Sequence, residues 1–206
     1  MNPKALRDYV IKHSEGRKRY IVAIAGPPGA GKTTFATSLL SLLAEKSIQS
    51  KIISMDGFHL DNIILAERNL LDRKGAPETF DTAGFIHLIN RLTSFENNIV
   101  IPEFDRKKDL SIAGSSIISK KDRVLIVEGN YLLVEEKPWA ELNKSWDQTI
   151  FINPGIDILE HRLLERWFTY GLDSQIAKNR VLNNDLPNAR YVIEKSSNSD
   201  IQISKF

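Results

Sequence analysis

The chain alternates two hydrophobic patterns, each typical of one kind of secondary structure. Short continuous apolar runs rich in β-branched residues predict buried strands at residues 20–25, 51–55, 99–101, 124–127 and 148–152. Apolar residues that recur every three or four positions predict helices around residues 6–11, 32–45, 61–71, 85–92 and 154–170. Strands that alternate with helices need crossover connections, so we expect a mainly parallel five-stranded sheet with helices on both faces.

Polar residues between these runs predict boundaries. Asn2 and Asn153 precede the first helix and the last long helix and are predicted to cap them. Residues 105–121 have no clear period and predict an irregular, hairpin-like insertion. The apolar alternation Ile201–Ile203 follows a polar tail, so it predicts an edge strand.

Composition restricts the classes of partner. The chain has 206 residues, enough for one α/β domain, and its net charge is only +2, so we expect no nucleic-acid partner. It contains no cysteine, which excludes disulfides and zinc–thiolate sites and fits a reducing compartment. The most apolar run, residues 21–25, is far too short to cross a bilayer. We therefore expect a cytoplasmic protein without a membrane partner.

A glycine-rich loop joins the first predicted strand to the next helix. It reads Gly26-Pro27-Pro28-Gly29-Ala30-Gly31-Lys32-Thr33-Thr34 and matches the phosphate-binding pattern of glycine, four residues, glycine, lysine and threonine. Glycines allow backbone N–H groups to approach phosphates closely, Lys32 adds a cation, and the Thr33 hydroxyl suits Mg²⁺. The loop therefore predicts a three-layer P-loop nucleotide-binding fold that holds ATP and Mg²⁺.

Two carboxylates end predicted strands. Asp56 follows the second strand, and Glu128 ends the strand 124–127. Parallel strands open toward their ligand at their carboxyl ends, so both side chains are expected to face the nucleotide. Either residue alone could instead cap a following helix.

Two short motifs resemble those of GTP-hydrolysing switches, which share this loop. Asp81 begins an Asp-x-x-Gly motif, but no apolar strand precedes it, so it is better explained as a helix cap. The motif from Asn143 to Asp147 has one residue too many for the guanine-reading pattern. We therefore favour phosphoryl transfer over a switch.

Four segments together resemble the uridine kinase, pantothenate kinase and phosphoribulokinase family of P-loop kinases. They are the phosphate loop with Thr34, residues 55–58, residues 73–81 and residues 127–133. The short chain length and the sequence of residues 167–190 resemble those of the small kinases described as fructose-transport-associated or uridine-kinase-like. The resemblance implies one domain spanning residues 1–206, with a substrate-binding insertion at about 57–121 and a helical lid at about 155–190.

The resemblance also implies residue roles. Asp56 would be the general base on the acceptor hydroxyl, and Thr33 and Glu128, with Asp56, would hold Mg²⁺. Lys32 and the lid arginines Arg162 and Arg166 would act on the transferring phosphate. Candidate contacts to the acceptor are His59, Arg73, Lys74, Phe104, Asp105, Asp109 and Tyr131.

Alternatives stay open for several of these residues. Arg162 and Arg166 could form salt bridges with Glu160 or Glu165 on a solvated face. Asp109 stands where uridine kinases carry a histidine, and carboxylates there suit a polyhydroxylated sugar equally well.

The resulting expectation is a monomeric or homodimeric kinase that phosphorylates a hydroxyl of a nucleoside, a sugar or a pantothenate-like molecule. One rival is a nucleoside monophosphate or dephospho-coenzyme A kinase, with Arg73 and Lys74 as docking cations for a phosphorylated acceptor. The other rival is a regulatory ATP-binding module without transferase activity.

Overall fold

The computed structural model describes residues 3–205. The helices are α1 Pro3–Ser14, α2 Lys32–Ala44, α3 Asn62–Glu67, α4 Thr82–Thr93, α5 Ile156–Thr169, α6 Ser174–Arg180 and α7 Leu186–Lys195. The strands are β1 Tyr20–Ala25, β2 Ser50–Ser54, β3 Ile99–Asp105, β4 Leu110–Ile118, β5 Val124–Gly129, β6 Gln148–Ile152 and β7 Ile201–Ile203.

Five strands form one parallel sheet in the order β2-β5-β1-β6-β7. The predicted architecture is confirmed. Every residue of β1 and β5 is buried, as expected for strands with a packed layer on each face. In the register, Ala25 of β1 lies beside Gly129 of β5, and Ser54 of β2 lies beside Glu128. The carboxyl ends of these three strands therefore meet at one edge.

Two hydrophobic clusters lie on opposite faces of this sheet. Leu125 of β5 belongs to the cluster that includes Phe85 of α4. Ile126, its neighbour in sequence, belongs to the cluster that includes Leu6 of α1 and Leu39 of α2. Successive side chains of a strand point to opposite faces, so one buried strand contributes to both clusters. The result is a three-layer arrangement.

One predicted strand does not join the main sheet. Residues 99–101 lie in β3, which pairs antiparallel with β4 in a separate two-stranded sheet. The fifth strand of the main sheet is β7, so the edge strand predicted at Ile201–Ile203 is confirmed. The reason lies in burial: β3 alternates buried Ile99 and Ile101 with exposed Val100, whereas a central strand is covered on both faces.

Helix boundaries follow local hydrogen bonds. Asp81 caps α4 by accepting from the backbone N–H of Gly84, as predicted. The predicted cap Asn153 is wrong: α5 begins at Ile156 after Gly155, and Asn153 Oδ1 accepts from the N–H of Gly155 in a turn before the helix. The predicted cap Asn2 lies outside the described residues.

Asp147, which ends the motif that resembles a guanine-reading sequence, has a structural role at the end of β1 that is opposite the phosphate loop. It accepts from the backbone N–H of Ile21 and pairs with Arg17.

Among residues 3–205, no helix is long and apolar enough to cross a membrane. The α6–α7 junction contains a π-helical segment, Val181–Asp185, a feature that often occurs at functional sites.

We expect truncation of either face of β5 to destabilise the domain strongly. Leu125→Ala and Ile126→Ala should each lower the free energy of unfolding by about 2–5 kcal/mol, because each leaves a cavity in a fully buried cluster. Chemical denaturation measures this. Ile117→Ala, at a side chain that is 53% exposed on β4, should cost under about 1 kcal/mol, and an equal loss at Ile117 would contradict the assignment of the core.

Candidate functional site

The phosphate loop connects β1 to α2 at the carboxyl edge of the sheet. Gly29 and Gly31 adopt φ of 80° and 93°, a left-handed conformation that favours glycine. A Cβ on Gly26 would lie 2.3 Å from the carbonyl oxygen of Ile152, so glycine is required there for close backbone approach. α2 has no side-chain cap hydrogen bond at Gly31. Its N-terminal N–H groups therefore suit a phosphate.

Lys32 buries its charge at the start of α2. It is 8% exposed, and its Nζ donates to the carbonyl of Pro27 at 3.0 Å and to Asn130 Oδ1 at 2.6 Å. Both partners are neutral. Burial lowers the pKa of Lys32 to about 8, although Glu128 and Asp56 oppose the shift. A bound polyanion would compensate this desolvated charge.

Glu128 ends β5 beside the loop and is 3% exposed. Its Oε1 accepts from Ser54 Oγ at 2.6 Å and lies 3.4 Å from Thr33 Oγ1. Burial raises the pKa of Glu128, repulsion from Asp56 adds to the rise, and the Lys32 cation opposes it. Instead of capping a helix, Glu128 contacts two hydroxyls and interacts electrostatically with the buried Lys32 cation.

Asp56 lies in a 3-10 turn, Met55–Phe58, directly after β2. The cap of this turn is the Ser54 side chain, so Asp56 is not a helix cap. Its carboxylate instead accepts from Arg106 Nη2 at 2.6 Å, and Asp56 lines the same cleft as Lys32 and Glu128. The predicted placement of Asp56 is therefore observed, with a partner that the sequence did not reveal.

Four of the predicted acceptor contacts line one wall of the cleft. Lys74 Nζ pairs with Asp109 at 2.9 Å, donates to Asn62, and lies 5.3 Å from the centre of the Phe104 ring. His59 packs against Phe104, with 4.7 Å between ring centres, and burial lowers its pKa. This wall combines an aromatic surface with paired charges.

The other three predicted acceptor contacts are not part of the cleft lining. Asp105 accepts from the backbone N–H groups of Lys107 and Lys108, so it shapes the β3–β4 turn. Tyr131 is fully buried and donates its hydroxyl to the carbonyl of Gly75 at 2.6 Å. Arg73 donates to Asn184 at 3.2 Å. Each of these three side chains thus has a partner within the protein, and their contact with an acceptor stays a prediction.

Within the loop, the lining residues are a subset of those predicted. The cleft is lined by Pro28, Gly29, Gly31, Lys32, Thr33 and Thr34. Gly26, Pro27 and Ala30 are buried behind this surface, where they shape the turn.

The lid arginines face the cleft. Arg162 Nη1 donates to the carbonyl of Ala30 at 3.2 Å, and Arg166 lies 3.8 Å from Asp185, a carboxylate whose pKa is raised by burial. The alternative of salt bridges with Glu160 or Glu165 is not observed: Glu165 lies 3.3 Å from His161 instead. The predicted lid helix α5 therefore directs Arg162 to the phosphate loop, and Arg166 lines the same cleft.

Several cleft residues were missed by sequence reasoning: Arg106, Asn130, Arg180, Asp185 and Asn188. Asn130 directly follows the end of β5, so its position in the sequence could have predicted that it lies at the ligand-binding edge of the sheet. Arg106 lies between Phe104 and Asp109, but only the fold of the hairpin directs it to Asp56.

The cleft has a volume of about 610 Å³ and fits a nucleotide polyphosphate with Mg²⁺. The N–H groups at the start of α2 and the buried Lys32 would hold the phosphates, and the oxygens of Thr33, Glu128 and Asp56 are the hard ligands that Mg²⁺ prefers. Among residues 3–205, no group of three histidine or acidic side chains could hold a metal alone. Mg²⁺ commonly binds through one or two carboxylates together with substrate phosphates, so this donor set is sufficient.

Comparison with known proteins agrees with this geometry. The model of the phosphoribulokinase/uridine kinase family matches residues 21–205. The uncharacterised protein YggC of Escherichia coli (strain K12) is 33% identical over 188 residues, which are 90% of this chain and 77% of YggC. A pantothenate kinase of Limosilactobacillus reuteri is 30% identical over 76% of this chain, but the match spans only 52% of that enzyme.

A solved structure that covers nearly the whole chain is also similar. It is a protein of Silicibacter sp. TM1040, provisionally named a fructose transport system kinase. Its TM-score to this chain is 0.92 with 39% sequence identity, and the match covers 98% of both chains.

We expect nucleotide binding to be linked to protonation of Lys32. With a pKa of about 8, roughly half of Lys32 is neutral at pH 8, and bound phosphates favour the charged form. Binding of a non-hydrolysable ATP analogue with Mg²⁺ should therefore take up about half a proton at pH 8 and much less at pH 6.5. Calorimetry in buffers of different ionisation enthalpy measures the uptake.

Lys32→Arg is the matched control, because a guanidinium stays charged throughout this range. The variant should lose the uptake at pH 8. Equal uptake in both proteins would show that another group titrates.

Proposed function

Because the chain belongs to the phosphoribulokinase/uridine kinase family, we propose that it is an ATP-dependent kinase that transfers the γ-phosphoryl group to a hydroxyl of a small molecule. The supporting observation is the meeting of three groups at one sheet edge: the Lys32 cation, the Glu128 carboxylate and the Asp56 carboxylate. We call the part of the cleft beside Lys32 and the phosphate loop the phosphate end. The part between Asp56 and the wall with Lys74 and Phe104 is the acceptor end.

At the phosphate end, Lys32 and the loop amides hold the β- and γ-phosphates. Mg²⁺ would be held by Thr33, Glu128 and Asp56, and it would neutralise part of the charge on the phosphates. Ser54 keeps the Glu128 carboxylate oriented through its hydrogen bond of 2.6 Å. Phosphoryl transfer depends mainly on such positioning and charge stabilisation.

At the acceptor end, Asp56 orients the attacking hydroxyl and receives its proton. The hydroxyl oxygen forms the new bond to the γ-phosphorus as the bond to the leaving oxygen of ADP breaks. Arg162 and Arg166 stabilise the charge on the transferring group, and lid closure excludes water that would compete as acceptor.

We propose an acceptor with several hydroxyl groups, such as a sugar, a nucleoside or a pantothenate-like compound. The acceptor wall offers carboxylate, ammonium and ring surfaces from Asp109, Lys74, Phe104 and His59. Hydroxyls donate and accept hydrogen bonds, so they match paired charges of both signs. The names of the Limosilactobacillus pantothenate kinase and of the Silicibacter protein support testing pantothenate and fructose first.

The rival with a phosphorylated acceptor finds less support. Its proposed docking cations have other partners, since Lys74 pairs with Asp109 and Arg73 donates to Asn184. A comparison of uridine with its monophosphate tests this rival directly. ATP turnover that no acceptor changes would instead favour a regulatory module.

We expect Asp56→Asn to lower acceptor phosphorylation by about 10²–10⁴-fold, because the amide cannot accept the proton. Nucleotide affinity should be largely retained. Coupled ADP release with uridine, cytidine, pantothenate, fructose and related sugars measures turnover and identifies the acceptor.

Asp8→Asn serves as the control, since Asp8 is an exposed carboxylate on α1 that pairs with Arg7. It should leave turnover unchanged. Full activity of Asp56→Asn would refute the role of this carboxylate as the base.

A further inference from the structure

The connection between β3 and β4 forms a tip of fixed shape over the acceptor end of the cleft. Residues 106–109 make this turn, and Asp105 stabilises it by accepting from the N–H groups of Lys107 at 2.9 Å and Lys108 at 3.1 Å. Asp109 closes the turn with a φ of 54°, in the left-handed region that aspartate tolerates. The tip therefore presents Arg106 and Asp109 in defined directions.

Two ion pairs attach this tip to two other segments of the cleft lining. Asp109 pairs with Lys74 at 2.9 Å and accepts from Asn62 at 3.0 Å. Arg106 pairs with Asp56 at 2.6 Å. The hairpin belongs to a separate two-stranded sheet, so within residues 3–205 no strand pairing with the main sheet fixes the tip. Side-chain contacts hold Arg106 at Asp56.

The Arg106–Asp56 pair occupies Oδ2, one of the two carboxylate oxygens that the proposed reaction could use. A carboxylate oxygen that accepts from a guanidinium must share or exchange that bond when a water molecule or an acceptor hydroxyl approaches. The Arg106 side chain is 49% exposed and that of Asp56 is 20% exposed. Water screens a pair this exposed, so we expect the pair to hinder the approach of water only a few-fold, and an acceptor that also contacts the cleft wall can displace it.

We propose that Arg106 is a positioning residue that occupies Asp56 while no acceptor is bound and thereby suppresses futile ATP hydrolysis. In that side reaction, a water oxygen bonds to the γ-phosphorus, the bond to the ADP oxygen breaks, and the water proton passes to Asp56. An acceptor displaces Arg106 from Asp56, and its own hydroxyl then takes the place of water. The proposal rests on the proposed function, because it concerns the same base.

A role for Arg106 in stabilising charge on the transferring phosphate gives the opposite expectation. In that case, removal of the guanidinium slows hydrolysis and transfer alike. Arg106 lies near the phosphate-binding groups, since its charge contributes to the lowered pKa values of Lys32 and Arg166. The direction of the change in hydrolysis therefore decides between the two roles.

The test measures phosphate release from ATP and Mg²⁺ without any acceptor, at saturating ATP. Arg106→Ala should raise this rate at least about threefold, the factor expected from loss of a half-exposed ion pair. Arg106→Lys should restore much of the suppression, because it returns a cation. The double variant Asp56→Asn with Arg106→Ala should lose the increase, because water then lacks its proton acceptor.

Lys107→Ala is the matched control: it removes an exposed cation from the same turn, outside the cleft lining, and should leave the rate unchanged. A rate for Arg106→Ala that is unchanged or lower, or an increase that persists in the double variant, would overturn the proposal. Failure of every acceptor in the ADP-release screen would refute the proposed function separately, since this test uses no acceptor.

Discussion

The buried charge of Lys32 is the constraint on which the rest of the site depends. A desolvated ammonium is costly, and here its direct hydrogen-bond partners are the neutral oxygens of Pro27 and Asn130. The carboxylates of Glu128 and Asp56 favour its charged form from a greater distance. The protein thus holds a cation at the mouth of α2 that a polyphosphate would stabilise further.

Sheet topology brings these groups together. β5 lies between β1 and β2, so the phosphate loop, Glu128 and Asp56 extend from three adjacent parallel strands. Two other elements approach the same edge from outside the sheet, the predicted lid helix α5 and the β3–β4 hairpin. The helix contributes Arg162 and Arg166 to the cleft, and the hairpin contributes both Arg106 and Asp109. Charges of both signs from separate elements therefore line the cleft.

Much of the fold was predictable because strand and helix periodicity reflects local geometry. The position of β3 was not, since an apolar run of three residues does not reveal whether one face or two faces are covered. The same limit applies to single side chains. Tyr131 and Asp105 were both predicted to contact the acceptor, yet one is held in the core and the other in a turn.

By itself, the sequence determined the parallel α/β class, the phosphate loop and the location of Asp56 and Glu128 at strand ends, because these depend on short-range pattern and strand direction. Only the tertiary structure decided which charges meet. The contacts of Asp56 with Arg106 and of Lys32 with Asn130 join residues 50 and 98 positions apart. No local pattern encodes such contacts, since they depend on strand order and on the direction in which the hairpin folds.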